Sequence, residues 1–224
     1  MRITLFAATG GIGRHVLDQA LAAGHHVTVV VRDPRKLPDT GATVLTADLS
    51  RPDPDALAEA VAGADAVISG LGARSRADAR AGIVHRGTRA ITAAMRAAGT
   101  RRLLVVSAAP VGTVAAPGRP RPPRHDPGDG FGLRHLVYPV LKRILRDIYV
   151  DLATMEAELR DSGLDWTSVR PTQLTGHPLT GRYRTAPGRN LPGGRKVGRA
   201  DVAHYLLRAL DDPDTIGRPV GVSY

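Results

Sequence analysis

The sequence predicts an α/β protein whose parallel sheet is doubly wound, with helices on both faces. Two observations predict it. Short runs of Val, Ile and Leu alternate with segments whose apolar residues recur at helical spacing, and this alternation occupies the first half of the 224 residues. A strand that is apolar at every position is buried on both faces, which is typical of parallel sheets. Right-handed crossovers between such strands then give the doubly wound arrangement.

The predicted elements of the first half follow one another at short intervals, and glycines end three of the helices, as is common at helix C-termini. In order, they are strand 3–7, helix 11–23, strands 27–31 and 42–47, helix 54–62, strand 66–69, helix 83–98 and strand 103–107.

The second half is less regular. Residues 114–132 are rich in Pro and Gly and predict a loop, and residues 172–198 are irregular for the same reason. Helices 133–146, 149–161 and 201–210, strand 166–169 and an edge strand 220–223 complete the prediction. We therefore expect one domain over 1–224, with a cofactor-binding half (1–113), a variable loop and helix (114–146) and a loop-rich, substrate-side C-terminal half (147–224).

Composition excludes several classes of protein. There is no Cys, so disulfide scaffolds, thiolate nucleophiles and Cys-ligated metals are excluded. No 18-residue apolar run occurs, and the N-terminus is typical of a first strand rather than a signal peptide. We expect a cytoplasmic protein with no membrane partner. The eight His show no metal-ligand spacing, so no metal site is expected.

The charge is strongly positive, +10 at pH 7, and only three of the 31 basic residues are Lys. Such a charge could suit nucleic acid or an anionic small molecule. The arginines are scattered, however, and the one dense stretch, 119–124, is proline-rich without interleaved aromatics. We therefore do not expect nucleic acid as a partner. We expect a small-molecule acceptor, bound by a monomer or a homodimer.

The strongest functional signal is a glycine loop between the first strand and the first helix. Glycines there let the backbone turn sharply and approach a phosphate, and the helix N-terminus supplies free N–H groups. The alternative is a tight turn without a ligand, but the flanking strand and helix favour a dinucleotide site. The residues predicted to bind the cofactor here are Thr9, Gly10, Gly11, Ile12 and Gly13.

The residue after the second strand distinguishes NADP from NAD. Arg32 occupies that position, and a guanidinium suits a 2′-phosphate in charge and geometry. NADPH is therefore favoured over NADH. Asp33 is the competing signal, since an inward carboxylate there could bind the ribose 2′-OH of NAD.

Two further loops follow strands at the same edge of the predicted sheet, where ligands bind in such folds. Asp48 and Leu49 follow the third strand, and Gly70-Leu71-Gly72 follows the fourth. We predict that Asp48, Leu49, Leu71 and Gly72 bind the cofactor. Each loop could equally be an ordinary turn.

Several segments together resemble the atypical short-chain dehydrogenase/reductases, in the NAD(P)H-binding branch that contains biliverdin-IX-beta reductase, also called flavin reductase. The matching segments are AATGGIG (7–13), VRDP (31–34), DAVI (65–68), Ser107, SGLDWTSVRP (162–171) and PLTGRY (178–183). The resemblance covers most of the chain and is poorest over 114–146. It departs at Ala7, where the family usually has its first glycine.

The resemblance implies a single-domain Rossmann fold and reduction of a flavin-like or other conjugated acceptor by NADPH. A flavin would then be a substrate rather than a tightly bound group. Related proteins of the nitrogen-metabolite-repression type bind NADP as sensors and catalyse nothing, which is the alternative. The matching positions imply that Pro171 and Thr172 bind the nicotinamide. Gln173 occupies the position of an active-site His, which weakens the case for biliverdin as substrate.

A Tyr-x-x-x-Lys motif, the usual catalytic pair of short-chain dehydrogenases, occurs at Tyr138 and Lys142. We predict that it lies outside the site. When Glu156 is aligned with the family's glutamate, the Tyr and Lys positions fall on Ile148 and Leu152. Catalysis would then depend on orientation of two flat rings rather than on a strong acid.

The residues predicted to assist catalysis are Ser107 and Gln173. Ser107, at the end of the fifth strand, should reach the nicotinamide or the acceptor, and it is also a predicted cofactor contact. The alternative for Ser107 is a strand-end hydroxyl bonded to the backbone.

Overall fold

The fold was determined as a computed structural model, which describes residues 1–37 and 39–224. Its strands, numbered along the chain, are β1 (Arg2–Phe6), β2 (His26–Val31), β3 (Thr43–Thr46), β4 (Ala66–Ser69), β5 (Arg102–Val106), β6 (Asp165–Pro171), β7 (Gln173–Thr175), β8 (Arg184–Pro187), β9 (Lys196–Gly198) and β10 (Arg218–Ser223). Its helices are α1 (Gly11–Ala22), α2 (Pro54–Val61), α3 (Arg76–Arg80), α4 (Ile83–Ala98), α5 (Tyr138–Ile144), α6 (Arg146–Arg160) and α7 (Arg199–Arg208).

Eight strands form one sheet in the order β3-β2-β1-β4-β5-β6-β10-β8, and every pair is parallel except β10 with β8. The chain moves outward from β1 through β2 to β3 and then returns to β4 on the other side of β1. This reversal creates a crevice at the carboxyl ends of β1 and β4, which is where ligands bind in such sheets. The predicted doubly wound parallel sheet of one domain is confirmed.

Both faces of the sheet are buried, as the apolar strands predicted. Successive residues of one strand enter opposite layers: Leu5 packs with α1 and α7, and Phe6 packs with α2, α4 and α6. Both side chains are fully buried. Because helices cover both faces, the site has to lie at an edge of the sheet.

The structure corrects the sequence prediction in four places. Strand 220–223 is not at the edge, because β8 pairs beyond it as an antiparallel strand. Strands β7 and β9, predicted as irregular chain, form a separate two-stranded sheet, and each is too short to show a pattern. Helix α3 was missed because its five residues, RADAR, lack an apolar stripe. Helix 133–146 is divided into a π-helical turn, Leu133–Val137, and α5.

Residues 114–130 contain no helix or strand, as predicted, whereas residues 131–132 are already helical and lead into the π-helical turn. The segment is nevertheless fastened to the domain. The buried carboxylate of Asp126 accepts hydrogen bonds from the backbone N–H groups of Gly128 (2.9 Å) and Asn190 (2.8 Å). The Asn190 side chain in turn donates to the carbonyl oxygen of Ala109 (3.0 Å) and to Asp129 (2.8 Å). The loop is thus bonded to the chain that follows β5.

Within the described residues, 1–37 and 39–224, no helix has the length and apolarity needed to cross a membrane. In the same part of the chain, His, Asp and Glu side chains form no group of three that could hold a metal ion.

Candidate functional site

A cavity of about 550 Å³ opens at the carboxyl edge of the sheet, beside the crevice between β1 and β4. Its volume lies in the range of ordinary small-molecule sites. Ten of the predicted site residues line it: Thr9, Gly10, Gly11, Ile12, Arg32, Asp48, Leu49, Leu71, Gly72 and Ser107. Ile148, Leu152, Leu174 and Arg199 of the second half also line it, so both halves of the chain meet here.

The glycine loop approaches its strand too closely for side chains. A Cβ atom on Gly13 would lie 2.2 Å from the carbonyl oxygen of Ala7, so only glycine lets α1 pack against the end of β1 at this distance. Gly13 does not line the cavity itself. The N-cap residue of α1, Gly10, offers no side-chain hydrogen bond, and the first turn holds no acidic residue. The free N–H groups and positive end of the helix dipole therefore face the cavity without a competing carboxylate.

Ala7 begins this loop in the left-handed region, at φ 61°, and it is the one non-glycine residue with positive φ in the described chain. That conformation costs an L-residue with a Cβ atom roughly 1–2 kcal/mol. The family's usual glycine would remove the cost. The turn keeps its shape with alanine, so the loop geometry does not depend on the missing glycine.

Arg199, at the start of α7, was missed by sequence reasoning and lines the cavity. Its Cδ and Nε atoms lie 2.9 and 3.0 Å from where a Cβ on Gly11 would stand, so its side chain lies across the glycine loop. Gln19 of α1 fixes the start of α7 by donating to the carbonyl oxygen of Ala200 at 3.0 Å. No local signal could have linked residues so distant in sequence.

Arg32 and Asp33, the two competing signals after β2, are separated by the structure. Arg32 is exposed and lines the cavity, whereas Asp33 does not line it. The Asp33 carboxylate accepts from the backbone N–H of Arg35 (3.2 Å) and from its guanidinium (2.9 and 3.2 Å). The Arg35 guanidinium also lowers the pKa of Asp33. The carboxylate is thus used in a local turn.

At the opposite end of the cavity, the buried Ser107 stands above a pair of buried charges. Its Oγ atom has no hydrogen-bond partner among the described residues, so it is not bonded to the backbone. Its hydroxyl lies close enough to the Glu156 carboxylate to help lower the pKa of that group. Glu156 accepts from Arg170 Nε and Ser168 Oγ, both at 2.8 Å, and from Arg170 Nη2.

Burial alone would raise the pKa of Glu156, but the charge of Arg170 and these hydrogen bonds outweigh it and hold the pKa below its ordinary value. Glu156 and Arg170 are therefore both charged in the interior. Their side chains are only 2% and 5% exposed, so neither is available to a ligand. The pair supports the floor beneath Ser107.

The wall between the two ends is apolar. Ile148 and Leu152, the positions onto which the family's Tyr and Lys fall, line the cavity together with Ile83. Tyr138 and Lys142 do not line it. Burial raises the pKa of Tyr138 and lowers that of Lys142. Lys142 Nζ donates to Thr113 Oγ1.

The three predicted residues at the end of β6 and directly after it lie outside the lining of this cavity: Pro171, Thr172 and Gln173. Thr172 Oγ1 is hydrogen-bonded to Ser223 Oγ at 2.9 Å. Gln173 belongs to β7, and its side chain is exposed. Leu174, the next residue, lines the cavity instead. The roles assigned to residues 171–173 stay predictions.

The donors at the glycine end fit a dinucleotide. They include an uncapped helix N-terminus, a loop whose glycines leave the backbone bare, and two arginines, Arg32 and Arg199, at its margin. The unpartnered Ser107 Oγ fits a polar group of a ring bound at the other end. Together, fold and site define a Rossmann-fold NAD(P)-binding protein.

The match to a protein family agrees with the assignment as an NAD(P)-binding protein. The chain belongs to the NAD(P)H-binding family, whose model matches residues 7–213, and this confirms the predicted NAD(P)H-binding branch. A solved protein of Burkholderia pseudomallei, named as an exported protein, is 28% identical over the whole of both chains, with a TM-score of 0.73.

Two structures of lower sequence identity share the fold. A short-chain dehydrogenase/reductase of Veillonella parvula in complex with NADP is 21% identical, covers 100% of this chain and 94% of its own, and has a TM-score of 0.75. SP1627 of Streptococcus pneumoniae, named as an NADH-flavin reductase, is 23% identical over 100% and 99% of the two chains, with a TM-score of 0.72.

Proposed function

We propose that this protein is an NADPH-dependent oxidoreductase that transfers hydride to a flavin, a quinone or a similar conjugated acceptor. The observation that carries the proposal is the cavity itself. It joins a glycine loop suited to phosphates at one end to an apolar wall at the other, where the Ser107 hydroxyl has no hydrogen-bond partner among the described residues. Such a cavity suits two flat rings held face to face.

The choice of NADPH over NADH is supported by the loop after β2. Arg32 borders the cavity, and the carboxylate that would favour NAD, Asp33, is held by Arg35. A forked guanidinium matches a 2′-phosphate, whereas a carboxylate would repel it.

The chain's own residues bind and orient. The glycine loop and Arg199 are placed to hold the pyrophosphate, and Ser107 is free to donate a hydrogen bond to a carbonyl oxygen of the bound ring. Reduced nicotinamide, when bound, supplies the hydride. Ile83, Ile148 and Leu152 form the apolar wall, which disfavours water beside the reacting rings. The reduced acceptor therefore takes its proton from solvent, either at an exposed edge of its ring or after it has left the cavity.

The class of acceptor follows from the lack of a usual proton-donating side chain in the described part of the cavity wall. Among the described residues that line the cavity there is no Tyr, His or Lys. Reduction of an isolated ketone needs a proton donor at the oxygen, whereas a conjugated ring delocalises the charge that hydride delivers. The name of the Streptococcus pneumoniae structure, an NADH-flavin reductase, supports a ring acceptor of this kind. A flavin would exchange as a substrate.

A second candidate is an NADP-binding regulator without catalysis. The apolar residues at the two positions where catalytic Tyr and Lys would stand, Ile148 and Leu152, favour it. The two candidates share the cofactor site and differ only in turnover.

Turnover is tested by following NADPH oxidation at 340 nm against flavins, quinones and linear tetrapyrroles. We expect at least one flavin or quinone to be reduced. Binding of NADPH with no acceptor reduced would instead establish the regulator.

Cofactor choice is tested by calorimetric titration of NADPH and NADH. We expect tighter binding of NADPH, and loss of about 1.5–3 kcal/mol of NADPH binding in Arg32→Ala, the usual contribution of a charge-assisted hydrogen bond. Arg51→Ala is the matched control. Arg51 is also an exposed arginine in a loop at the carboxyl edge of the sheet, but it does not line the cavity. Equal affinities of the parent protein for the two nucleotides would end the proposal of NADPH specificity.

A further inference from the structure

An exposed apolar face runs along the segment formed by the π-helical turn and α5. Phe131 is 78% exposed, Leu136 68%, Val140 57% and Ile144 50%. The last three recur every four residues, so they lie on one side of the helix. Apolar side chains this exposed, and aligned in this way, mark a contact surface.

The charge around this face has one sign. Between Gly130 and Arg146 the sequence holds Arg134, Lys142, Arg143 and Arg146 and no Asp or Glu. The three arginines are exposed.

The end of the Pro/Arg-rich loop 119–124 reaches this positive surface, because the charges of Arg124 and of Arg134 both act on His125. Its neighbour His125 lies with its ring centroid 5.9 Å from that of His135, and Phe131 lies 4.6 Å from His135. Burial lowers the pKa of His125, and the nearby charges of Arg134, Lys142 and Arg124 lower it further. The loop and the helix therefore share one basic surface.

We propose that this surface, residues 124–146, seats the protein on an anionic lipid bilayer. An apolar stripe with cationic flanks matches a bilayer in both respects, since the stripe enters the acyl boundary while the arginines meet the headgroups. A second copy docking through the same face would set arginines against arginines, because the two carboxylates of the segment, Asp126 and Asp129, are already hydrogen-bonded to residues 128 and 190. Charge complementarity therefore favours lipid.

The surface borders the cavity. Arg76 of α3 donates to the carbonyl oxygen of Ile144 at 2.9 Å, which fastens the end of α5 beside α3. Ile148, one turn beyond Ile144, lines the cavity, and so does Asp78 of α3. When the protein is bound to the bilayer through this surface, its cavity would lie near the membrane, where a lipophilic ring acceptor could reach it. This last step rests on the proposed reductase function, whereas vesicle binding does not.

The experiment is sedimentation of the full chain with vesicles of phosphatidylcholine alone or with 30% phosphatidylglycerol. We expect binding to the anionic vesicles that falls steeply when NaCl is raised to 0.5 M. We expect little binding to phosphatidylcholine.

Two double variants separate the contributions. Leu136→Gln/Val140→Gln removes apolar surface without changing charge and should abolish most binding. Arg134→Gln/Arg143→Gln keeps the stripe and should lower the partition coefficient by about 10- to 30-fold, because each arginine near an anionic surface contributes roughly fivefold. The matched controls are Val44→Gln, at an apolar residue 39% exposed elsewhere, and Arg182→Gln/Arg189→Gln, both exposed. NADPH binding and the thermal midpoint check that each variant is folded.

Three results would overturn the proposal: no binding to anionic vesicles, equal binding to both compositions, or control variants that lose as much binding as the test variants. A fourth is a dimer in analytical ultracentrifugation that Leu136→Gln/Val140→Gln dissociates, because the face would then be an interface between copies.

Discussion

The two ends of the cavity are stabilised in different ways. The glycine-loop end is made of backbone: a helix N-terminus, a bare turn and glycines such as Gly13 that admit close packing. The Ser107 end is made of side chains, with Glu156 and Arg170 charged and almost fully buried beneath it. The glycine-loop end requires that side chains be absent, whereas the Ser107 end requires that two buried charges be paired.

This difference decides what a substitution does at each end. Adding one methyl group at Gly13 creates a clash with the backbone of Ala7, which no side-chain rotation can relieve. Removing one partner at the other end leaves an uncompensated charge in the interior.

The largest effect is expected for Arg170→Met. Glu156 would remain buried without its partner, and breaking such a pair costs about 3–5 kcal/mol in free energy of unfolding. Arg101→Met is the matched control, because Arg101 pairs with Asp165 at the surface and should cost little. Urea denaturation of the two variants measures the difference. Equal losses would show that burial of the Glu156–Arg170 pair is not what matters.

The same variant has a pH signature. In the parent, the pKa of Glu156 is lowered, so its contribution to stability is fully present above the unfolded value of about 4.3 and is lost as the pH falls through the folded value. In Arg170→Met, burial would raise that pKa instead. The cost of the substitution should therefore shrink as the pH is lowered from 7 toward 4. A cost independent of pH would contradict the assignment of a charged Glu156.

At the backbone end, Gly13→Ala places a Cβ atom 2.2 Å from the carbonyl oxygen of Ala7. We expect a loss of about 3 kcal/mol, at the upper end for overpacking, and a thermal midpoint roughly 6–12 °C lower. Gly41→Ala is the control, because a Cβ there meets nothing within 4 Å. Differential scanning calorimetry decides it, and a midpoint in Gly13→Ala equal to that of the control would show that the loop relaxes freely.

The smallest effect is expected for Tyr138→Phe. A catalytic acid at this position would make the substitution lower kcat by roughly 10²–10⁴-fold, but we expect less than about fivefold because Tyr138 does not line the cavity. Ser107→Ala should lower kcat/KM noticeably. Steady-state kinetics with the acceptor found at 340 nm compares them. A collapse of activity in Tyr138→Phe beside a near-normal Ser107→Ala would move the chemistry to the other helix.

The backbone end could be predicted from the sequence because its signals are local. Strand, loop and helix follow within residues 2–22, and Arg32 follows the next strand directly. The supporting contacts of the other end could not be predicted in this way. Ser168 and Arg170 lie beside Ser107 because β5 and β6 are neighbours in the sheet, and Glu156 is bonded to them from α6. Arg199 reaches Gly11 for a similar reason, through the packing of α7 on α1.

The basic apolar surface was missed for a different reason. The test applied to the sequence asked for a continuous apolar run long enough to span a bilayer. A stripe of one residue in four along α5 never produces such a run. The periodicity of residues 133–146 predicted one helix where the structure has a π-helical turn followed by α5, and it could not reveal that the apolar side would face away from the domain.

The contact between Arg199 and Gly11 also has a consequence for how the chain is made. About 190 residues separate them, and at roughly 5–20 residues per second a ribosome needs about 10–40 s to synthesise the second after the first. During that interval the apolar side of α1, with Val16, Leu17 and Ala20, lacks the helix that later buries it. Transiently exposed apolar surface of this kind favours aggregation. The order of α1 and α7 along the chain, rather than their composition, sets how long this surface of α1 waits for its partner.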